Sequence, residues 1–166
     1  MTLVLLVGGA RSGKSTIALE RAQAQGGKVV FIATGEAGDE EMAERIERHR
    51  GERPAEWATV EEPLELGRAL AVAPANATVI VDCLSLWIAN VLELADVEEE
   101  AERVARAAAA RPGLTIAVTN EVGLGIVPDN ALARRYRDVL GRVNAIWAEV
   151  ADEACFVVAG RTLRLT

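Results

Sequence analysis

The chain has 166 residues, 51% of them hydrophobic and 26% charged, with a formal net charge of −7. This length suits one domain spanning 1–166, able to bury roughly 70% of its unfolded surface without disulfides. The acidic balance excludes a general nucleic-acid binder, and no segment reaches the roughly 20 apolar residues of a membrane-spanning helix.

Leu3-Val4-Leu5-Leu6-Val7 reads as a first buried strand, and Gly8-Gly9-Ala10-Arg11-Ser12-Gly13-Lys14-Ser15 follows it directly. Gly8, four residues, then Gly13-Lys14-Ser15 is the G-x-x-x-x-G-K-[ST] spacing of a phosphate-binding loop, set as required between a strand and a helix. The glycines let successive N–H groups converge on an anion, and the helix N-terminus adds a partial charge of roughly +0.5. Lys14 is placed for β/γ-phosphates and the Ser15 hydroxyl for Mg²⁺.

The helix runs from Thr16 to Gln25 and stops at Gly26-Gly27. Val29 to Ala33 is an uninterrupted apolar strand, as in a parallel sheet covered on both faces. Thr34 to Gly38 is a loop, and a charged helix with Met42 and Ile46 inward runs from Asp39 to Arg50. A short strand spans Trp57 to Val60, a helix spans Leu64 to Ala71, and a strand spans Ala77 to Asp82. Helices follow over Leu84 to Leu92 and Glu98 to Ala110, the latter carrying an Ala-rich surface stretch from Ala105. Leu114 to Thr119 is a strand and Asn120 to Pro128 an irregular loop. Asp129 is placed to cap a long helix over Ala131 to Val150. Strands Cys155 to Ala159 and Thr162 to Leu165 close the chain as a hairpin turning at Gly160-Arg161. Trp57 and Trp87 are candidates for exposed contacts or for the core.

The alternation predicts an α/β fold: a P-loop NTPase-like, mostly parallel sheet with helices on both faces and a C-terminal antiparallel hairpin. Ligands in such sheets lie beyond the carboxyl ends of the strands, so Gly8 to Ser15, Thr34 to Gly38, Asp82 to Ser85 and Asn120 to Gly125 should border one crevice. Asp82 ends its strand where a carboxylate can share Mg²⁺ with Ser15. His49, the one histidine, stands among Arg45, Arg48, Arg50 and Arg53. It reads either as part of a solvated basic face or as a nucleophile, since a neutral imidazole can attack phosphorus and guanidinium groups can bind the phosphate. Glu121 and Asp82 are candidate bases by location only, and Arg11 or Arg134 can meet phosphate or stay surface charges. Cys83 and Cys155 lack metal-ligand spacing and read as buried thiols of a reducing compartment, the cytoplasm.

The phosphate loop, Ile32-Ala33-Thr34-Gly35, Arg45 to Arg50 with Arg53-Pro54, Val81 to Trp87, and Thr119 to Gly123 with Ile126-Val127-Pro128 together resemble one family. It is the bifunctional adenosylcobinamide kinase / adenosylcobinamide-phosphate guanylyltransferase family of cobalamin biosynthesis. The resemblance implies transfer of a γ-phosphoryl group from ATP or GTP to adenosylcobinamide, then guanylylation of a histidine by GTP and passage of GMP to adenosylcobinamide phosphate. It assigns the guanylylated histidine to His49. Nucleotide contacts fall on Gly8, Gly9, Ala10, Arg11, Ser12, Gly13, Lys14 and Ser15, on Ala33, Thr34 and Gly35, on Arg50, Gly51, Glu52 and Arg53, and on Glu61 and Asp82. Glu62, beside Glu61, is open as a substitute. Related enzymes often carry a second histidine where this chain has Arg48. The resemblance also implies a homo-oligomer, with a trimer as the suggested size.

Two rivals stand beside this reading: a simple phosphate-loop kinase of a small metabolite, and a GTP-binding switch. The switch lacks support, because no glycine lies three residues after Asp82 and no Asn-Lys-x-Asp segment is present. The bifunctional reading carries its own demand, since one pose of a triphosphate cannot offer both its γ- and its α-phosphorus. Either GTP binds in two arrangements or the His49 segment moves relative to the loop.

Overall fold

Seven strands form one sheet in the order β3-β2-β4-β5-β1-β6-β7 in the computed structural model, which describes residues 2–36, 50–51, 53–94 and 96–165. The strands are β1 (Thr2–Gly8), β2 (Val29–Ala33), β3 (Ala58–Glu61), β4 (Thr78–Asp82), β5 (Leu114–Asn120), β6 (Glu153–Val158) and β7 (Arg161–Arg164). The first six run parallel and β7 alone is antiparallel, against β6. β1 is almost wholly buried, as its unbroken apolar run requires when helices cover both faces.

On one face lies α1 (Lys14–Gln25), whose Ala18 and Ala22 pack on Val4, Leu6, Phe31, Ile80 and Val118. The other face carries α2 (Leu66–Val72), α3 (Leu84–Val91), α4 (Val97–Ala109) and α5 (Ala131–Val150) over a larger cluster. The expected helix over Asp39 to Arg50, with Met42, Arg45, Ile46 and Arg48, lies outside the described residues except for Arg50. The Ala-rich stretch is surface on one side only: Ala107 and Ala110 are exposed, while Ala105 and Ala108 are buried in the main cluster, where α4 packs against α2 and α5.

Three local expectations are corrected. The cap of α5 is Asn130, which accepts from the Ala133 N–H at 2.7 Å. A capping oxygen must reach the third helical N–H, and Asp129 stands one residue too early for a helix that starts at Ala131. The hairpin turns at Ala159-Gly160, with φ of 50° and 69°, one residue earlier than expected. Two positive φ values make the turn whose twist matches the flanking strands, and Gly160 supplies one of them freely. Trp87 belongs to the core with no exposed surface, whereas Trp57 is half-buried against the α1-side cluster.

The two core tryptophans differ in one atom's fate. Trp87 Nε1 donates to Leu64 O at 2.9 Å, while the buried Trp147 Nε1 finds no partner among the described residues. Trp→Phe at 87 therefore loses volume and a bond, and at 147 it loses volume but removes an unpaired donor. Urea unfolding should find Trp87→Phe more destabilising than Trp147→Phe by about 1 kcal/mol. An equal or inverse order contradicts the assignment.

α1 is tied to the sheet by Arg21, whose guanidinium donates to Glu153 Oε1 on β6 at 2.7 Å. That hydrogen bond holds the Glu153 carboxyl below its ordinary range. A carboxylate with a depressed folded-state pKa adds stability above its unfolded pKa, and loses it as pH falls through the folded value. Arg21→Met should thus cost under about 1 kcal/mol at pH 7. In chemical unfolding the gap to wild type should close as pH drops below the usual carboxylate range.

Arg111, though buried, meets no carboxylate among the described residues. Its guanidinium donates to the carbonyls of Leu70, Ala73, Pro74 and Ala77 and so caps the end of α2. Burial pulls its pKa down.

Candidate nucleotide site

The phosphate loop leaves the carboxyl end of β1 and turns into α1 at Gly13, whose φ of 100° is open to glycine and strained for other residues. Gly8 is needed for a different reason: a Cβ there would overlap Val157 O of β6 and the Ser12 hydroxyl. The β6–β7 turn braces the loop from the side, with Gly160 N–H donating to Ser12 O at 2.8 Å. Lys14 is buried and lies along the loop, its Nζ donating to Gly9 O at 2.7 Å. Arg11 and Ala10 are exposed at the loop tip.

Ser15 Oγ lies 3.4 Å from Asp82 Oδ2, although the two residues come from α1 and from β4, with β5 between β4 and β1. Two hard oxygens facing each other beside a phosphate loop form the donor set that Mg²⁺ takes when substrate phosphates and water supply the remaining ligands. Among the described residues, no cluster of three or more His, Cys, Asp or Glu would hold a metal without such help. The residues present fit the ion.

Thr34 is fully buried, and its hydroxyl is used inside the protein. It donates to Cys83 O at 2.7 Å and accepts from Cys83 N at 2.9 Å, which locks the end of β2 to the chain just beyond Asp82. Its backbone N–H donates to Asp82 O, and its carbonyl accepts from Asn90 of α3. Ala33 and Gly35 flank it, half-buried at the rim. Ser85, at the start of α3, bonds both Cys83 Sγ at 2.9 Å and Asn120 Nδ2 at 3.1 Å. Burial, and then the neighbouring Asp82 charge, push the Cys83 thiol up to about 11, so it stays protonated at neutral pH. Tyr136 of α5 donates to Ser85 O, and burial raises its phenol to about 12. Sequence reasoning put Asn120 at the border of the crevice but gave its side chain no role; the signal for one was a polar side chain ending a buried strand.

A second group lies at the other end of the crevice. Glu61 ends β3 and is ion-paired with Arg50, and Arg53 stacks on Phe31 with its guanidinium carbon 3.6 Å from the ring centroid. Glu62 is occupied otherwise, accepting from the N–H groups of Leu64 and Glu65 ahead of α2. Gly51 is exposed beside Arg50. From β3 to β1 there are four strand intervals, roughly 19 Å. His49 and Glu52 lie outside the described residues. Of the remaining candidates, Glu121 accepts from the Gly123 N–H, and Arg134 donates to the carbonyls of Pro128 and Asp129. Val122, Leu124, Ile126 and Val127 of that loop are exposed. Among the described residues no helix is long and apolar enough to cross a membrane.

Comparison with solved structures finds a RadB recombinase with a TM-score of 0.55, 17% identical, over 93% of this chain and 73% of the other. That likeness establishes the P-loop NTPase type of fold and nothing more. Among curated proteins, the bifunctional adenosylcobalamin biosynthesis protein CobP of Pseudomonas aeruginosa is 44% identical over 97% of this chain and 95% of its own length. The corresponding CobU of Salmonella typhimurium is 39% identical over 95% of this chain and 96% of its own length. The family model described as cobinamide kinase / cobinamide phosphate guanyltransferase matches residues 4–165, and the chain belongs to that family.

Proposed function

We propose that this protein phosphorylates adenosylcobinamide with ATP or GTP and then transfers GMP from GTP to the product through guanylylated His49, giving adenosylcobinamide-GDP. The observation that carries the reading is the pairing of a complete phosphate loop with the Ser15–Asp82 oxygens in a chain of this family. For phosphoryl transfer the protein chiefly positions groups and neutralises charge. Lys14 balances the β/γ-phosphates, the loop N–H groups hold them, and Mg²⁺ on Ser15 and Asp82 would supply further charge neutralisation.

In the second reaction the neutral His49 imidazole attacks the α-phosphorus of GTP, a P–N bond forms, and pyrophosphate leaves with the electrons of the broken P–O bond. A phosphate oxygen of adenosylcobinamide phosphate then attacks the same phosphorus, the P–N bond breaks, and free histidine returns. Arg50 with Glu61, four strands away from the loop strand, and Arg53 on Phe31 of β2, three away, support a second nucleotide arrangement distinct from the one the loop holds. Gly8 to Ser15, Ala33 to Gly35, Arg50 to Arg53, Glu61 and Asp82 are the proposed nucleotide contacts. Glu61 is favoured over Glu62 because its partner is Arg50, itself a proposed nucleotide contact, whereas the Glu62 carboxylate is turned onto the N–H groups of Leu64 and Glu65.

Parallel incubations with α-labelled and γ-labelled GTP test the reading. With adenosylcobinamide added, γ-label should pass to the corrinoid. Without it, α-label should remain on the protein after denaturation and chase onto adenosylcobinamide phosphate. Transfer of γ-label alone would leave a simple kinase, and hydrolysis with no adduct would leave a switch.

A further inference from the structure

The strand order puts one side chain between the phosphate loop and the metal-side acid. β5 lies between β1 and β4, its Asn120 pairing in register with Gly8 and its Val118 with Asp82. Asn120 therefore stands two residues, roughly 6–7 Å, beyond the level of Asp82 along the strand. Alternation puts it on the same face as Val118, the face covered by α1, where Lys14 and Ser15 begin the helix. It is half-exposed on the crest of the sheet.

Its amide is held rather than free to rotate. Nδ2 donates to Ser85 Oγ at 3.1 Å, and the buried Ser85 is itself fixed by Cys83 Sγ and, through its carbonyl, by Tyr136. The Asn120 backbone carbonyl accepts from Asn144 Nδ2, and Asn144 also accepts from Thr119 Oγ1 at 2.7 Å. Nδ2 so directed leaves Oδ1 as the group presented to the crevice, and among the described residues no protein donor reaches it.

We propose that Asn120 is a catalytic residue of the phosphoryl-transfer step, its Oδ1 accepting the hydrogen bond of the acceptor hydroxyl and aiming that oxygen at the γ-phosphorus. This rests on the kinase reading above. An O–P bond forms from the hydroxyl oxygen, the bond from the γ-phosphorus to the β–γ bridging oxygen breaks, and the nucleoside diphosphate departs with the electron pair. An amide is no base, so Asn120 keeps the proton directed away from phosphorus until bond formation is advanced. The proton then passes to a phosphoryl oxygen, in keeping with a loose transition state. Glu121 is not needed as a base, and its carboxylate is engaged with the Gly123 N–H. Ser85 is a positioning residue that fixes which way the amide faces.

The test measures kinase turnover, the KM for adenosylcobinamide, the Kd of a fluorescent GTP analogue and formation of the α-labelled adduct. It compares the full-length wild type with Asn120→Ala, Asn120→Leu and Ser85→Ala. Both Asn120 variants should lose roughly 10²-fold in kinase turnover and Ser85→Ala about 10-fold, with nucleotide Kd and adduct formation within twofold. Turnover within threefold of wild type in the Asn120 variants overturns the assignment. So does a parallel fall in kinase turnover, nucleotide affinity and adduct yield, which marks a structural role. If Asn120→Ala does not fold, Ser85→Ala decides by the same criteria. A wild type that never phosphorylates adenosylcobinamide would instead overturn the functional reading itself.

Discussion

In His49→Ala, α-labelled GTP should leave no label on the denatured protein and no GMP should reach adenosylcobinamide phosphate, while kinase turnover stays within about threefold of wild type. The asymmetry follows from the chemistry. Guanylylation needs a nucleophile that forms and releases a P–N bond, and without the imidazole no covalent intermediate exists. Phosphoryl transfer to a substrate hydroxyl needs no protein nucleophile and relies on Lys14, the loop N–H groups and the Ser15–Asp82 oxygens. Liquid chromatography of the reaction should show adenosylcobinamide phosphate accumulating as the end product. A labelled protein in the variant, or a kinase that fails with it, would refute the division of labour.

Lys14→Met should produce a complementary defect. Methionine nearly matches the length of the lysine stem, so the buried position stays filled, but the ammonium that balances the β/γ-phosphates is gone. Kinase turnover should fall on the order of 10²–10³-fold, the range for removing one preorganised charge-stabilising donor. The melting temperature should change little, because the ammonium's hydrogen bonds to Gly9 O and Ser12 Oγ lie within the loop. Full kinase activity in this variant would deny that the loop holds the transferred phosphate. Full activity combined with an intact adduct would place both reactions elsewhere.

The parts legible in the sequence were those whose physics closes within a short stretch of chain. The run Val29 to Ala33 forms β2 with those same bounds, since five consecutive apolar residues flanked by turn formers admit few alternatives. The loop from Gly8 to Ser15 is similarly self-contained. Capping and turning were legible to within one residue, and Asn130 and Ala159 corrected them because helix and hairpin boundaries depend on which N–H groups are left over. Burial was less legible. The Ala105 to Ala110 stretch looked like surface and Trp87 was ambiguous, because composition says nothing of which side of a helix meets the sheet.

Thr34 shows the same limit inside the site. Its position at the end of β2 was foreseen, whereas the bonding of its hydroxyl to the Cys83 backbone was not. Asn120 read as the first residue of a loop, whereas hydrogen bonding to β1 carries β5 through it.

By itself, the sequence determined the anion-binding loop, the parallel α/β class and the family, all of which follow from residue types at fixed short spacings. Only the tertiary structure decided that β5 separates β1 from β4, that Asn120 stands between the phosphate loop and Asp82, and that Arg50 and Glu61 meet four strands away from the loop strand. Strand neighbours are chosen by the burial of whole faces and the hand of crossover connections, quantities summed over the domain and written in no single segment.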